Sequence, residues 1–407
     1  MDAFPATRQS ALQRLDEFLS VASRYAAERN HVLPGHPNVS RLSAALRHRL
    51  ITEAEVVEAA MRQHSFRAVE KFLQEVLWRS YWKGWLEMRP PVWARYRTSA
   101  DHLVGNIDPD MAAACREVAE GRSRSGVMNH FARELRETGY MHNHARMWWA
   151  SFWIHHCGLP WELGAQHFFR HLLDADPASN TLSWRWVAGR QTRGKAYLAS
   201  AQNVRKFCAP EILERAGDVG FDGRASARAS VDDEHADVTA AVLPLLSQSV
   251  DPRACQQRVA LVLHDEDLCL ETSPAAGVRP VVILQFIKEE RLLPPRAHWL
   301  GQARADAARR TREHFRCEVR ACSTRAEIAA AGAAEKIERV VMMEPHVGPL
   351  RDHLQGLADE PSLRGVGMDH LRRRWDAELL PQANRGFFPF WNKVGRRLEK
   401  SGLEGLV

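Results

Sequence analysis

Residues 138–186 read TGYMHNHARMWWASFWIHHCGLPWELGAQHFFRHLLDADPASNTLSWRW, inside a longer stretch that runs on to Phe207. Asn143, Arg146, Asp174, Asp176 and Asn180 form a polar ladder in it, and Trp148, Trp149, Trp153, Trp161, Trp184 and Trp186 supply aromatic mass. The surrounding sequence is helix-forming, with a break at Thr138-Gly139 and another at Asp174-Ala-Asp176-Pro. Charged groups inside aromatic helices are costly unless they are paired. Their density predicts a pocket for a large, flat, polar ligand.

The asymmetry of the chain supports that reading. Ten of its thirteen tryptophans lie before residue 190, so the aromatic chemistry belongs to the first half. The 407 residues suffice for two or three domains, and 45% hydrophobic with 26% charged residues is the composition of a globular protein. A formal charge of +6 favours an anionic partner, nucleic acid first. Cysteines 115, 157, 208, 255, 269, 317 and 322 form no CxxC pair, which predicts reduced, mostly buried thiols and a cytoplasmic protein. The N-terminus has no signal-peptide stretch and no segment is apolar enough to span a membrane. His142, His144, His155, His156, His167 and His171 lack a ligand-like spacing, so no metal is expected.

In chain order, helical periodicity covers residues 9–28, 44–64 and 65–87. Ser40 and Ser43 precede the second of these runs, where serines cap a helix or hold a phosphate. In the third, Glu75, Trp78 and Arg79 share a face, and Pro90-Pro91 ends the element. Further helices are expected over 127–137, 140–157, 163–173 and 180–189. From 211 to 254 the sequence turns to Gly, Ala, Ser, Asp and Arg, a linker. Beyond it, 258–263, 280–286 and 340–343 read as buried parallel strands alternating with helices at 297–315 and 324–334. Residues 362–400 read as helix again. The chain thus divides into a helical domain (1–210), the linker (211–254), a doubly wound α/β domain (255–361) and a C-terminal helical segment (362–407).

The opening stretch resembles the flavin-binding domain of the photolyase/cryptochrome family, whose signature runs TGWMHNRxRM and then DxDxAxNxxxWxW. Thr138 to Met147 and Asp174 to Trp186 carry it here, and Tyr25 with Arg29, Ser40 to Ser43, and Glu75 to Arg79 fit upstream. The second half resembles the same family's antenna domain in Val259–Leu270, Arg279–Leu284 and Glu344–Asp352, and in Phe387-Phe-Pro-Phe-Trp391, which is similar to FTPFW. That domain ordinarily comes first, so the resemblance implies a circular permutation about the linker.

The resemblance implies that Tyr25, Ser40, Leu42 and Ser43 hold the sugar-phosphate part of FAD. It implies that Arg146 pairs with Asp174 beside the flavin, that Asp176 takes a hydrogen bond from the ring's pyrimidine edge, and that Asn180 faces flavin N5. Glu75, Trp78, Arg29, Asn143, Met147 and Trp186 match positions of a lesion pocket, with Arg79 beside them. Trp184 and Trp161 match the inner members of an electron-transfer chain whose outermost member falls near Val118 here, so that Trp148, Trp149 or Trp153 would have to take its part. The implied function is light-driven repair by a cyclobutane pyrimidine dimer photolyase, with electron transfer from reduced flavin to a flipped-out dimer. A cryptochrome-like photoreceptor is the alternative. Damaged DNA is the expected partner and a monomer the expected state. His264-Asp-Glu replaces the arginines after the first antenna strand, which leaves an antenna chromophore open, and Val39 and His144 also depart from the pattern.

Overall fold

Helices fill the first half of the chain, and a five-stranded parallel sheet is built from the second. The structure is a computed structural model and describes residues 4–191, 196–221, 239–251, 256–288 and 292–406. The strands are β1 Val259–His264, β2 Pro280–Phe286, β3 Val319–Cys322, β4 Arg339–Met343 and β5 Gly367–Leu371. They lie in the order β3-β2-β1-β4-β5, each pair parallel. β1 is buried along its whole length, as expected for a central strand of an α/β sheet.

Two of these strands depart from the expectation. β3 is four residues long and mostly half-buried or exposed, and β5 (GMDHL) carries glycine, aspartate and histidine. Both are edge strands, where burial does not demand the apolar runs that announce a strand. β5 falls inside the 362–400 segment expected to be helical, which corrects that reading, and 340–343 is the fourth strand. The expected helix over 44–64 is also broken. Ser43–Arg47 forms one short helix, and Thr52 starts another, Glu53–Gln63, through a capping box in which the Thr52 hydroxyl accepts from Glu55 N and the Glu55 carboxylate from Thr52 N. Pro90 and Pro91, expected to end the helix over 65–87, follow its last residue Glu87 closely and also occupy the first turn of Pro90–Asn106, where the missing N–H is no loss.

The linker is partly structured. It opens with the helix Pro210–Ala216, and residues 239–251 run against the rest of the molecule. Ala241 N donates to the Met88 carbonyl at 2.8 Å, and Arg372 N to that of Ser247 at 2.9 Å. Residues 222–238 and 252–254 of the expected linker lie outside the described residues. Cys208, Cys269 and Cys322 are buried and Cys115, Cys157 and Cys317 half-buried, while Cys255 is not among the described residues.

The core joins the two halves. Because side chains alternate across a sheet, Val259, Leu261 and Leu263 of β1 belong to one core with Phe18, Leu73, Leu77 and Trp299, whereas Ala260 and Val262 belong to another with Ile328 and Leu357. The C-terminal helix Phe387–Ser401 buries Phe387, Phe390, Trp391, Val394 and Leu398. Trp391 stacks on Phe66 and donates from Nε1 to Glu70 at 3.3 Å, which folds the end of the chain onto the long helix Phe66–Glu87. Among the described residues no helix is long and apolar enough to cross a membrane.

Candidate functional site

The long helix Phe66–Glu87 runs 22 residues and stops just ahead of the proline pair, which cannot extend it. Lys71, Gln74, Glu75, Trp78, Arg79, Trp82 and Trp85 recur along it at spacings of three and four, so they share one face. That face forms one wall of a cavity of about 1020 Å³. Of the flavin, lesion-pocket and inner electron-chain residues that the resemblance implies, all but Trp161 line the cavity, while Trp148, Trp149 and Trp153 do not. Trp161 is buried behind it, its ring 5.5 Å from that of Tyr96.

Two turns set the opposite wall. Gly139 ends the helix Gly126–Thr138 with φ 71°, and a Cβ there would stand 2.7 Å from Leu173 Cδ2. Its carbonyl accepts from Leu173 N at 2.8 Å, tying this turn to the Asp174-Ala-Asp176 loop. Ala175 adopts φ 28°, a left-handed conformation that costs an alanine about 1 kcal/mol. The strain lies between the two aspartates that face the cavity.

Arg146, on the helix Asn143–Ser151, donates from Nη1 to both carboxylate oxygens of Asp174, at 3.0 and 3.2 Å, and from Nε to the Met141 carbonyl at 2.8 Å. Burial pushes the Asp174 carboxyl up, but the charges of Arg146 and Arg79 outweigh it and hold the group below its ordinary pKa. Asp176 caps the helix Pro177–Val187, accepting from Ser179 N at 2.8 Å, and takes Arg79 Nη1 at 2.9 Å with Arg47 Nε 3.8 Å away. Burial again opposes ionisation, and the charges of Arg79, Arg47 and Lys83 overcome it, leaving the carboxyl well below the usual range.

The other polar groups are less committed. Asn180 donates one amide hydrogen to the Ala165 carbonyl at 2.8 Å. Ser40 and Ser43 do not cap the helix Ser43–Arg47, whose N-cap is Leu42 without a side-chain bond, so the capping alternative fails. Arg41 Nε and His142 Nε2 are buried, line the cavity and have no hydrogen-bond partner among the described residues. Buried polar atoms of this kind ordinarily have one.

Glu75 pairs with Arg29 at 2.7 Å. Burial raises its pKa, and the Arg29 and Lys71 charges only partly offset that. Trp78 lies face to face with Phe387, ring centroids 3.6 Å apart and planes 8° from parallel. Trp186 stacks on Tyr197 at 5.3 Å. Trp184 is buried edge-on to Phe168 and Trp149, and Trp149 stacks on Trp153 at 5.2 Å. Tyr197, Asn203 and Arg385–Phe388 line the cavity although the sequence did not single them out for it. Arg385–Phe388 overlaps the FTPFW-like motif, which marked the segment without revealing what it packs against.

Residues 72–210 match the family model described as the FAD binding domain of DNA photolyase. This unit is similar to the flavin-binding domain of the photolyase/cryptochrome family. The deoxyribodipyrimidine photo-lyase of Streptomyces griseus is 33% identical over 191 residues, covering 44% of this chain and 40% of that protein. Cryptochrome DASH of Oryza sativa is 33% identical over 122 residues, covering 29% of this chain and 20% of that protein. The chain therefore spans less than half the length of the curated relatives it matches. A solved bacterial class III photolyase from Agrobacterium tumefaciens shares 24% identity over 55% of this chain, with a TM-score of 0.42.

The cavity of this photolyase-type domain fits FAD. It has the size of a large ligand site, and the unpartnered donors of Arg41 and His142 and the hydroxyls of Ser40 and Ser43 suit an acceptor-rich anion. The sheet has a second place where ligands bind in folds of this kind, the crevice beyond the carboxyl ends of β1 and β4. Here protein fills it. Glu266 accepts from Arg47 at 2.8 Å and from His346 N at 2.7 Å, and Asp267 holds Arg49 and both ends of the Arg373 fork. Among the described residues, no group of three or more His, Cys, Asp or Glu side chains could hold a metal ion.

Proposed function

We propose that this chain is a light-driven, FAD-dependent photolyase acting on cyclobutane pyrimidine dimers in DNA. The observation that carries the reading is the continuity of one cavity. Ser40, Ser43, Arg146, Asp174, Asp176 and Asn180 line the same cavity as Glu75, Trp78, Asn143, Met147 and Trp186. FAD supplies a light-excitable one-electron donor. The chain's own part is to hold and exclude. The fixed Arg146–Asp174 pair and the Asp176 carboxylate orient a ring with hydrogen-bonding edges, and Asn180 offers its amide to that ring. A dimer has to leave the duplex to be reached, so its pocket needs flat apolar walls and a few polar groups. Trp78 and Trp186 are read as those walls, and Glu75 as the group that hydrogen-bonds a pyrimidine edge. Burial raises the affinity of Glu75 for the proton that such a bond uses.

The division of the chain is part of the same proposal. The helical domain comes first, and the sheet domain follows after a linker that begins at about residue 211, a permuted order. β5 extends that sheet domain to at least residue 371.

A second reading, a cryptochrome-like photoreceptor, is favoured by one feature of the dimer side. Phe387 covers a face of Trp78 and Arg29 engages Glu75, so the chain's own groups already occupy part of it. The test is illumination of purified, chemically reduced protein with a dimer-containing oligonucleotide, beside a dark control and Glu75→Gln. Light-dependent restoration of the pyrimidines, lowered in Glu75→Gln while flavin absorbance is kept, is expected. A flavin-loaded protein that restores none would sink repair and leave the photoreceptor.

A further inference from the structure

The mouth of the cavity is formed partly by the far end of the chain, where Arg385, Gly386, Phe387 and Phe388 join its lining. Phe387 is 5% exposed and committed to Trp78. Phe388, its neighbour, is 66% exposed. A single exposed apolar residue is ordinary on a protein surface. This one is different in place and type. Among the described residues it is the only exposed large hydrophobic side chain that is aromatic, and the only one that lines the cavity. It also stands where the FTPFW motif carries threonine.

The segment that presents it is anchored. The Tyr81 hydroxyl donates to the Arg385 carbonyl at 2.9 Å and Arg89 Nη2 to the Asn384 carbonyl at 3.0 Å. The adjoining helix buries Phe387, Phe390 and Trp391. Cations share the cavity with the ring. Arg385 is exposed and makes no ion pair among the described residues, and Arg29 and Lys71 line the same cavity. A rigid aromatic beside positive charge is the pattern that receives nucleic-acid bases and their phosphates.

We propose that Phe388 is a stacking post for DNA, on which a nucleobase next to the extruded nucleotide rests, while Arg385 meets the adjoining phosphate. The inference rests on the reading of damaged DNA as substrate. Extrusion of a nucleotide leaves its neighbours short of one stacking partner, and an exposed ring at the cavity mouth replaces it. A stack of this kind tolerates any base, because every base has a flat face.

The test uses the full chain and fluorescence anisotropy with a dimer-containing duplex and with a single strand of the same sequence, over a series of salt concentrations. Phe388→Ala is expected to weaken binding about 5- to 150-fold, the range for one base–aromatic stack, with the salt dependence unchanged. Phe388→Trp should retain affinity, and Phe388→Leu, apolar but not flat, should lose it as alanine does. Arg385→Ala should instead lower the slope of log affinity against log salt by about 1. The ring is on the surface, so unchanged flavin absorbance and thermal unfolding are expected in every Phe388 variant. Phe388→Ala binding as tightly as the wild type, or Phe388→Leu binding as Phe388→Trp does, overturns the inference. A wild type that binds and repairs while Phe388→Ala matches it sinks this inference alone. A wild type that binds no dimer DNA sinks the photolyase reading and this one with it.

Discussion

Replacing Asp176 with asparagine separates its two structural duties, because asparagine caps a helix as well as aspartate does but carries no charge. Asp176 is 3% exposed and accepts from Ser179 N, the cap, while facing three cations. Arg79 sits at 2.9 Å and Arg47 at 3.8 Å, and Lys83 is a buried ammonium with no hydrogen-bond partner among the described residues. Removing one partner of a buried ion pair costs about 3–5 kcal/mol, because the other charge stays behind. Here Arg47 keeps Glu266 and Arg79 keeps the Ser43 carbonyl, which points to the lower end. Asp176→Asn should therefore lose about 3 kcal/mol, and Asp176→Ala about 1 kcal/mol more for the missing cap. Either loss is a large part of a stability that totals about 5–15 kcal/mol.

Urea unfolding followed by tryptophan fluorescence measures both losses. Repeating it against pH adds a sign. A carboxyl whose folded pKa is depressed stabilises fully above its unfolded pKa, about 3.9, and that contribution is lost as pH falls toward the folded value. The gap between wild type and Asp176→Asn should stay constant from neutral pH to about pH 5 and close below about pH 4. An asparagine variant as stable as the wild type at neutral pH would refute the reasoning, as would a gap that widened in acid.

Two further outcomes are expected. Alanine for glycine in a helix interior ordinarily stabilises by about 1 kcal/mol, but a Cβ on Gly164 would stand 2.3 Å from Trp184 Cη2 and 3.0 Å from Trp153 Nε1. Gly164→Ala should instead destabilise by about 1–3 kcal/mol and alter near-ultraviolet circular dichroism, and a stabilised variant would show that the tryptophan packing is wrong. His48 is buried, and burial together with the Arg47 charge lowers its pKa to about 4 despite the opposing Asp265 interactions. The unfolded chain therefore takes up a proton first as pH falls from about 6.5, and stability drops by about 1.4 kcal/mol per unit for this group until pH nears 4. His48→Gln should flatten the stability profile by that amount between about pH 6 and 4.5, and an unchanged slope would remove His48 from the account.

The helical unit and its cavity were legible in the chain because their cause is local. Turn chemistry at Thr138-Gly139 and the paired aspartates around Ala175 are short-range patterns. The three- and four-residue spacing of Glu75, Trp78, Arg79 and Trp82 puts them on one wall whatever surrounds the helix. β1, β2 and β4 announced themselves for a related reason, since strands buried on both faces must be continuously apolar. The edge strands carry no such demand, so nothing in the apolar pattern of β5 distinguishes it from its helical surroundings.

Contacts between remote segments were illegible for a different reason. Nothing near Trp78 in the sequence says that Phe387 covers its face, and nothing near Asp267 says that Arg49 and Arg373 converge on it. Such pairings are selected by shape and by charge neutralisation in the folded interior, where a buried charge has to find its partner from whichever segment arrives. Short-range chemistry thus set the helices, the turns and one wall of the cavity. Only tertiary packing closed the β1/β4 crevice with ion pairs, took Ser40 and Ser43 out of capping, and brought the end of the chain to the cavity mouth.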